Sequence, residues 1–319
     1  MRKIAVLDDY QTVAAEMADW SALGRDCAVT FFDRPLGVVD AAARALADFE
    51  IVCLMRERMP FPRVLIERLP KLKLIVFTGG RIRTLDLEAA REKGITVTYT
   101  RGAGSQYSTS ELTWALILAA ARNLCAEDRA VRAGDWQKSI GTTQHGKTLG
   151  ILGLGNIGSR VAAVGRAFGM EIVAWSPNLT PERAEASGAR AVTKADLFRQ
   201  SDIVTIHMIL SERTRGLVGP GDLALMQRHA ILINTARGPI VEETALVEAL
   251  RSKRIAGAGL DVFDQEPLPP DHPLRRLENV VLSPHLGYVT REIYAVFFQD
   301  MVENIAAYLA GKPVRVIES

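Results

Sequence analysis

Short apolar runs alternate with stretches of helical periodicity along most of the chain. In the first hundred residues, Lys3–Leu7, Ala28–Phe32, Ile51–Leu54, Leu74–Phe77 and Thr96–Tyr99 have the length and apolar content of buried strands. Between them, Val13–Trp20, Val38–Leu46, Pro62–Arg68 and Leu85–Lys93 read as helices, and Gly94 follows the last where a C-cap is expected. A second, longer series runs from Lys147 to His285. Its predicted strands are Thr148–Leu152, Glu171–Trp175, Ile203–His207, Ala230–Asn234, Gly259–Val262 and Val280–Leu282. A long helix predicted over Thr109–Asn123 and an irregular stretch to Gly146 join the two series. A last helix, Glu292–Ala310, precedes Val314–Ile317 and could return to the first series. Strands alternating with helices predict an α/β protein with two doubly wound parallel-sheet domains, one interrupted by the other. The expected boundaries are 1–102 with 287–319 for one domain and 103–286 for the other.

Composition narrows the class. A chain of 319 residues is comfortable for two domains, and 48% hydrophobic residues suffice for two ordinary cores. Thirty-nine basic against 37 acidic residues give a net charge of +2, which offers no reason to invoke nucleic acid or a membrane surface. The apolar run after Met1 is stopped by Asp8 and Asp9, too early for a signal segment. The most apolar helix, Leu112–Ala121, lies between Glu111 and Arg122, short of the roughly 18 residues of a membrane span. Cys27, Cys53 and Cys125 are scattered, which excludes a disulfide framework and suits a reducing cytoplasm. His207, His272 and His285 lack neighbouring ligands at metal spacing, so no metal site is expected.

Gly153-Leu154-Gly155-Asn156-Ile157-Gly158 follows an apolar strand and opens a helical run, Ser159–Phe168. That context gives a G-x-G-x-x-G turn its meaning. Gly153 allows the tight turn, Gly155 lets a pyrophosphate approach the backbone, and Gly158 lets helix pack on strand. A methyltransferase can share such a turn. The second strand of the unit ends in Trp175-Ser176-Pro177-Asn178, without the carboxylate that would bond the ribose 2′-OH of NAD. Ser176, Asn178 and Arg183 could instead meet a 2′-phosphate, so the expected cofactor is NADP or NAD with a lean to NADP.

Three further segments lie at predicted strand ends: Ile233-Asn234-Thr235-Ala236-Arg237-Gly238, Leu260-Asp261-Val262-Phe263-Asp264-Gln265-Glu266-Pro267 and Leu282-Ser283-Pro284-His285-Leu286-Gly287. Hydride transfer to a 2-oxo acid leaves an alkoxide that must be protonated. Histidine suits that task, a carboxylate favours its charged form, and arginine can grip the substrate carboxylate in two places.

In this order, the glycine turn and the TARG, DVFDQEP and SPHLG segments resemble the D-isomer-specific 2-hydroxyacid dehydrogenases over nearly the whole chain. The resemblance implies a Rossmann cofactor domain inserted in a flavodoxin-like substrate domain. It implies Arg237 as substrate anchor, Glu266 as partner of the histidine and His285 as acid/base. It also implies that Asn156, Ile157, Thr235, Ala236, Asp261 and the turn His285–Tyr288, including Gly287, line the cofactor. Gly79 and Gly80 would bind the substrate carboxylate through their amides. Arg56 and Arg58 align with arginines that face substrate in phosphoglycerate members and could bind a distal acidic group, Arg56 being the one carried as a substrate candidate, but a surface placement is the favoured reading for both. A homodimer joined through Asn123–Gly146 is implied as well, as is closure of the two domains around the substrate.

The chain departs from the family in Thr78-Gly79-Gly80-Arg81-Ile82-Arg83-Thr84-Leu85-Asp86, where Arg81 and Arg83 could reshape the pocket. No regulatory amino-acid-binding domain is expected after the last helix. The competing class is a nicotinamide-sensing, co-repressor-like binding protein with little turnover. The sequence does not reveal which 2-hydroxy acid is used.

Overall fold

The computed structural model describes residues 1–80, 83–102 and 104–317; Arg81 lies outside them. The chain divides into two units, Met1–Gly104 with Thr290–Ser319, and Ser105–Val289.

The first unit is built on five parallel strands, β1 (Arg2–Val6), β2 (Cys27–Phe31), β3 (Ile51–Leu54), β4 (Leu74–Phe77) and β5 (Thr96–Tyr99), in the order β2-β1-β3-β4-β5. β3 and β4 are buried along their whole length, which is why they read as uninterrupted apolar runs. Leu46, Phe61, Leu65 and Phe77 fill the space between sheet and helices. The 19-residue helix Arg291–Leu309 belongs to this unit. Its Asp300 is fully buried and accepts the Arg101 backbone N–H (2.7 Å) together with the Arg101 guanidinium. Asn304 donates to the Tyr99 carbonyl (2.9 Å), and Val316 bridges Thr98 antiparallel. The chain leaves β1 for β2 on one side and returns to β3 on the other, so β1 and β3 flank the switch point where open sheets take ligands.

The second unit holds seven strands, β6 (Thr148–Leu152), β7 (Glu171–Trp175), β8 (Arg190–Ala191), β9 (Ile203–Ile206), β10 (Ile231–Asn234), β11 (Gly257–Leu260) and β12 (Val280–Leu282). Their order, β12-β11-β10-β9-β6-β7-β8 with every pair parallel, is the Rossmann arrangement extended by one strand. Helix Ser105–Ala121 packs on β10 and β11, and Trp114 stacks on Phe168 with centroids 4.9 Å apart. Among the described residues no helix is long and apolar enough to cross a membrane.

Beyond small shifts at element ends, such as β11 two residues earlier than expected, four elements differ from expectation, each for a local reason. Strand β8 is two residues long and half exposed, so it carries no apolar run. The helix Leu124–Arg132 occupies part of the stretch expected to be irregular. It buries no residue and therefore lacks an apolar stripe, and an Asp128–Arg132 pair one turn apart supports it. The helix expected over Val13–Trp20 stops at Met17; a 3-10 turn, Trp20–Leu23, follows, its start capped by Asp19 accepting the Ser21 N–H. The long connecting helix begins at Ser105, four residues before Thr109; its first turns are hydroxyl-rich and carry no apolar run to mark them.

Candidate active site

In-register pairing places Leu152, Ile206, Asn234, Leu260 and Leu282 in one row across the second sheet. The residues that follow them, Gly153, His207, Thr235, Asp261 and Ser283, therefore leave the sheet along a single edge. Sequence segments 130 residues apart, from Gly153 to Ser283, converge there because parallel strands share a direction and helices carry the chain back each time.

The glycine turn fits a dinucleotide phosphate. Gly153 has φ +106°, and a Cβ there would lie 2.7 Å from the His207 carbonyl oxygen. A Cβ on Gly158 would overlap the Gly153 carbonyl, which is the close helix–strand approach expected of it. At Gly155 a Cβ would meet nothing within 4 Å, so the backbone at the start of the 12-residue helix Asn156–Ala167 is open to an anion. Ile157 packs partly into the core and Asn156 lies exposed. After β7, Ser176 Oγ accepts the Leu154 N–H (3.2 Å). Asn178 is exposed, and its carbonyl accepts Arg183 Nη1 (3.2 Å), which brings the guanidinium back to this loop.

After β10 the buried Asn234 shapes the turn that carries Arg237. Its Nδ2 donates to the Arg237 carbonyl (3.0 Å) and its Oδ1 accepts the Ala236 N–H (3.0 Å). Arg237 Nη1 donates to the Ala236 carbonyl (2.7 Å), and the side chain is half-buried. Thr235 pairs its hydroxyl with Thr113 of the long helix (2.9 Å).

His285 has φ +56°, a backbone conformation that histidine adopts only when its surroundings hold it. The restraints are explicit. Its N–H donates to the Asp261 carbonyl (2.8 Å), and the buried Asp261 carboxylate accepts Leu286 N–H (2.7 Å) and Gly287 N–H (2.9 Å). The Gly287 carbonyl accepts both Ser108 Oγ (2.7 Å) and Thr109 Oγ1 (2.9 Å). The imidazole meets the Tyr288 ring edge-on with centroids 5.6 Å apart. Its Nδ1 lies 2.6 Å from Glu266 Oε2, and Glu266 Oε1 accepts the Phe263 N–H (3.0 Å). A carboxylate can only accept, so the proton between the two sits on Nδ1 and Nε2 is directed elsewhere. Burial pushes the Glu266 pKa up, but the His285 hydrogen bond and charge, the Phe263 N–H and Arg237 outweigh it and hold the carboxyl below its ordinary range. Asp261 behaves in the opposite way: burial pushes it up, and its backbone donors and the His285 charge offset only part of the rise.

His207 bonds Thr205 Oγ1 through Nε2 (3.0 Å). It keeps some surface, yet the chain packed around it disfavours the charged ring and pushes its pKa down to about 3. A neutral ring beside the Gly153 turn suits a structural role.

In the first unit, Gly79 has φ +84°, and a Cβ there would overlap the Arg56 guanidinium. Gly79 N–H donates to Thr100 Oγ1 (3.0 Å), so this amide is engaged within the unit, whereas Gly80 is exposed. Arg56 and Arg58 are both half-buried at the end of β3, which differs from the surface placement favoured for them. Arg83 is exposed.

Sequence reasoning missed Ser108, Thr109 and Thr113, which fix the histidine and TARG turns from the side of the long helix. The signal was present: Ser105, Ser108, Thr109, Ser110 and Thr113 crowd hydroxyls into the first turns of a helix otherwise rich in apolar residues. It also missed the grouping of Asp8, Tyr10 and Tyr294 around Arg58.

Residues 114–287 match the NAD binding domain of the D-isomer specific 2-hydroxyacid dehydrogenases. A glyoxylate reductase of Aeropyrum pernix is 44% identical over 257 residues, covering 78% of this chain and 76% of its own. A D-3-phosphoglycerate dehydrogenase of Methanocaldococcus jannaschii is 39% identical over 264 residues, covering 82% of this chain; the match spans 50% of that longer relative. Among solved structures, a phosphoglycerate oxidoreductase from Vibrio cholerae superposes with a TM-score of 0.91 at 36% identity, covering 98% of this chain and 100% of that one. With this site geometry and these matches, the chain belongs to the D-isomer specific 2-hydroxyacid dehydrogenase family.

Proposed function

We propose that this protein is a nicotinamide-dependent dehydrogenase that reduces a small 2-oxo acid at C2 and oxidises the corresponding D-2-hydroxy acid. The observation that carries the reading is the Glu266–His285 pair, 2.6 Å apart at the sheet edge that also presents Arg237 and the glycine turn. Bound at that turn, NAD(P) would supply or take up the hydride. The protein's own groups supply the rest. Arg237 holds the substrate carboxylate and polarises the C2 carbonyl. As C2 gains hydride, its oxygen takes a proton from His285 Nε2. Glu266 stabilises the positive ring before that transfer and fixes its orientation. In the oxidative direction His285 accepts the hydroxyl proton. Gly79 provides the turn that presents Gly80 to the substrate carboxylate, and Arg56, which lies over Gly79, is assigned to the substrate. Steady-state reduction of glyoxylate, hydroxypyruvate and pyruvate with each cofactor tests the reading; no turnover of any 2-oxo acid contradicts it.

Asn156, Ile157, Thr235, Ala236, Asp261, Gly287 and Tyr288 are assigned to the cofactor with Gly153, Gly155 and Gly158. NADP is favoured over NAD. Ser176 uses its oxygen to accept from Leu154, which leaves its O–H to donate to a 2′-phosphate, and Arg183 reaches the same loop.

A cytoplasmic location is favoured because a reducing compartment suits the three scattered cysteines. A homodimer through 123–146 is favoured by apolar side chains left in water there: Ile140 is 95% and Trp136 72% exposed. Sedimentation at micromolar concentration should give about twice the chain mass, and a stable monomer would refute this assembly.

A further inference from the structure

The edge of the first sheet carries a charge cluster that the proposed mechanism does not use. The chain leaves β1 through Leu7 into Asp8, which has φ +60° and is 2% exposed. Asp8 Oδ1 accepts the Tyr10 hydroxyl (3.0 Å), while Oδ2 is buried without a hydrogen-bond partner among the described residues. Arg58 arrives from the segment after β3. Its Nη1 donates to the Asp8 carbonyl (2.6 Å), its Nη2 to the Tyr294 hydroxyl (3.0 Å), and its guanidinium lies 4.6 Å from the centre of the Tyr10 ring. Tyr294, on the helix Arg291–Leu309, in turn donates to Gln11 Oε1 (3.2 Å). Arg58 thus spans the β1/β3 switch point and is committed on its face and on both terminal nitrogens. Arg56, two residues earlier, lies instead over Gly79.

We propose that Asp8 is a specificity residue: it withholds Arg58 from the substrate, and so selects 2-oxo acids with an uncharged tail over acids carrying a second anionic group. The proposal rests on the dehydrogenase reading above. Its physical basis is a repulsive element. An anion brought to Arg58 must also approach a carboxylate that is buried and poorly screened. To reach a ligand, the guanidinium must also leave two oxygen acceptors and an aromatic face.

The same cluster makes this selection depend on protonation. Burial pushes Asp8 up to about 6, with the Tyr10 hydrogen bond and the Arg58 charge pulling the other way. The groups facing it are Tyr10 and Asp9 on its own segment, Arg58 from the segment after β3, and Tyr294 from the helix. Asp9 is occupied by the Val13 and Ala14 N–H groups. Protonation of Asp8 removes the repulsion and leaves Arg58 uncompensated.

The test is calorimetric binding of 2-oxopentanoate and 2-oxoglutarate, of equal carbon length, to the full chain saturated with oxidised cofactor. At about pH 8 the wild type should bind 2-oxopentanoate at least about tenfold more tightly. Asp8→Asn, which suits the positive φ, should narrow that ratio about tenfold by tightening 2-oxoglutarate binding. Lowering the wild type to about pH 5 should narrow it in the same direction, and Asp8→Asn should show no such change. Tyr294→Phe, which removes one acceptor without touching Asp8, should narrow the ratio as well. Adding Arg58→Met to Asp8→Asn should abolish the gain. Both acids bound with a ratio that neither Asp8→Asn nor Tyr294→Phe moves would overturn the proposal while leaving the dehydrogenase reading intact. Binding of neither acid would also overturn the proposal, whereas only the absence of turnover with every 2-oxo acid would overturn the dehydrogenase reading.

Discussion

Glu266 holds His285 by one nitrogen and is itself held by the backbone. Its Oε2 lies 2.6 Å from His285 Nδ1 and its Oε1 accepts the Phe263 N–H at 3.0 Å. The ring is therefore oriented by a group that cannot swing away, in a residue whose positive φ is enforced by Asp261, Ser108 and Thr109.

Removing the proton donor should separate chemistry from binding. His285→Gln is expected to lower kcat/KM for 2-oxo acid reduction by about 100-fold to 10,000-fold. Cofactor affinity, read by nicotinamide fluorescence, should change by less than about threefold. Glu266→Gln should lower the rate less and move the pH profile of ketone reduction to lower pH, because a neutral amide no longer stabilises a positive ring. An unaltered profile in Glu266→Gln would disprove the role given to the pair.

The hydroxyls of Ser108 and Thr109 converge on one carbonyl, that of Gly287. The double variant Ser108→Ala, Thr109→Val should destabilise the protein by about 1–3 kcal/mol in denaturant titration, since a buried acceptor loses both donors. Its kcat should fall further than KM changes, because the turn that orients His285 loosens. Unchanged kcat would mean that Asp261 alone fixes the turn.

Cofactor choice should respond to the end of β7. Ser176→Asp places a negative charge where a 2′-phosphate would sit and offers the ribose diol an acceptor. The ratio of kcat/KM for NADPH to that for NADH should fall by about 100-fold. Arg183→Ala should lower it by about tenfold. A wild type that strongly prefers NADH would show that another group reads the ribose.

Asp8 gives a pH dependence whose sign is fixed. Its pKa in the folded protein, about 6, lies above the ordinary 3.8, so the folded state prefers the neutral acid. That stabilising preference is fully present below about pH 4 and is lost as pH rises through about 6. Asp8→Asn keeps the site neutral at every pH. It should therefore be more stable than wild type by about 3 kcal/mol at pH 8, by about half of that at pH 5, and by little below about pH 3. Equal stabilities at both pH values would mean that the carboxyl is not disfavoured by its surroundings.

Much of the architecture was legible because its elements are buried. Ile51–Leu54, Leu74–Phe77 and Ile231–Asn234 are covered on both faces, and burial writes an apolar run into the sequence. The glycine turn was legible because Gly153 and Gly158 answer steric demands of the fold and Gly155 leaves the backbone open between them. What stayed hidden lacks that signature. Helix Leu124–Arg132 buries nothing, and β8 is too short for a pattern. The partnership of Asp8, Arg58 and Tyr294 joins residues 50 to 286 positions apart in the chain through polar atoms, which leave no periodicity to read. The engagement of the Gly79 amide by Thr100 was equally invisible, since a threonine ending an apolar strand has many other uses.

Isotope transfer from the cofactor tests the central claim most directly. Hydroxypyruvate and pyruvate are incubated separately with the protein and C4-deuterated NADPH or NADH, and the product is analysed by NMR and chiral chromatography. The account predicts one deuterium at C2 of the D-hydroxy acid with wild type, and at least about 100-fold less product in equal time with His285→Gln. Deuterium appearing in the L-isomer, or equal product from both proteins, would contradict it.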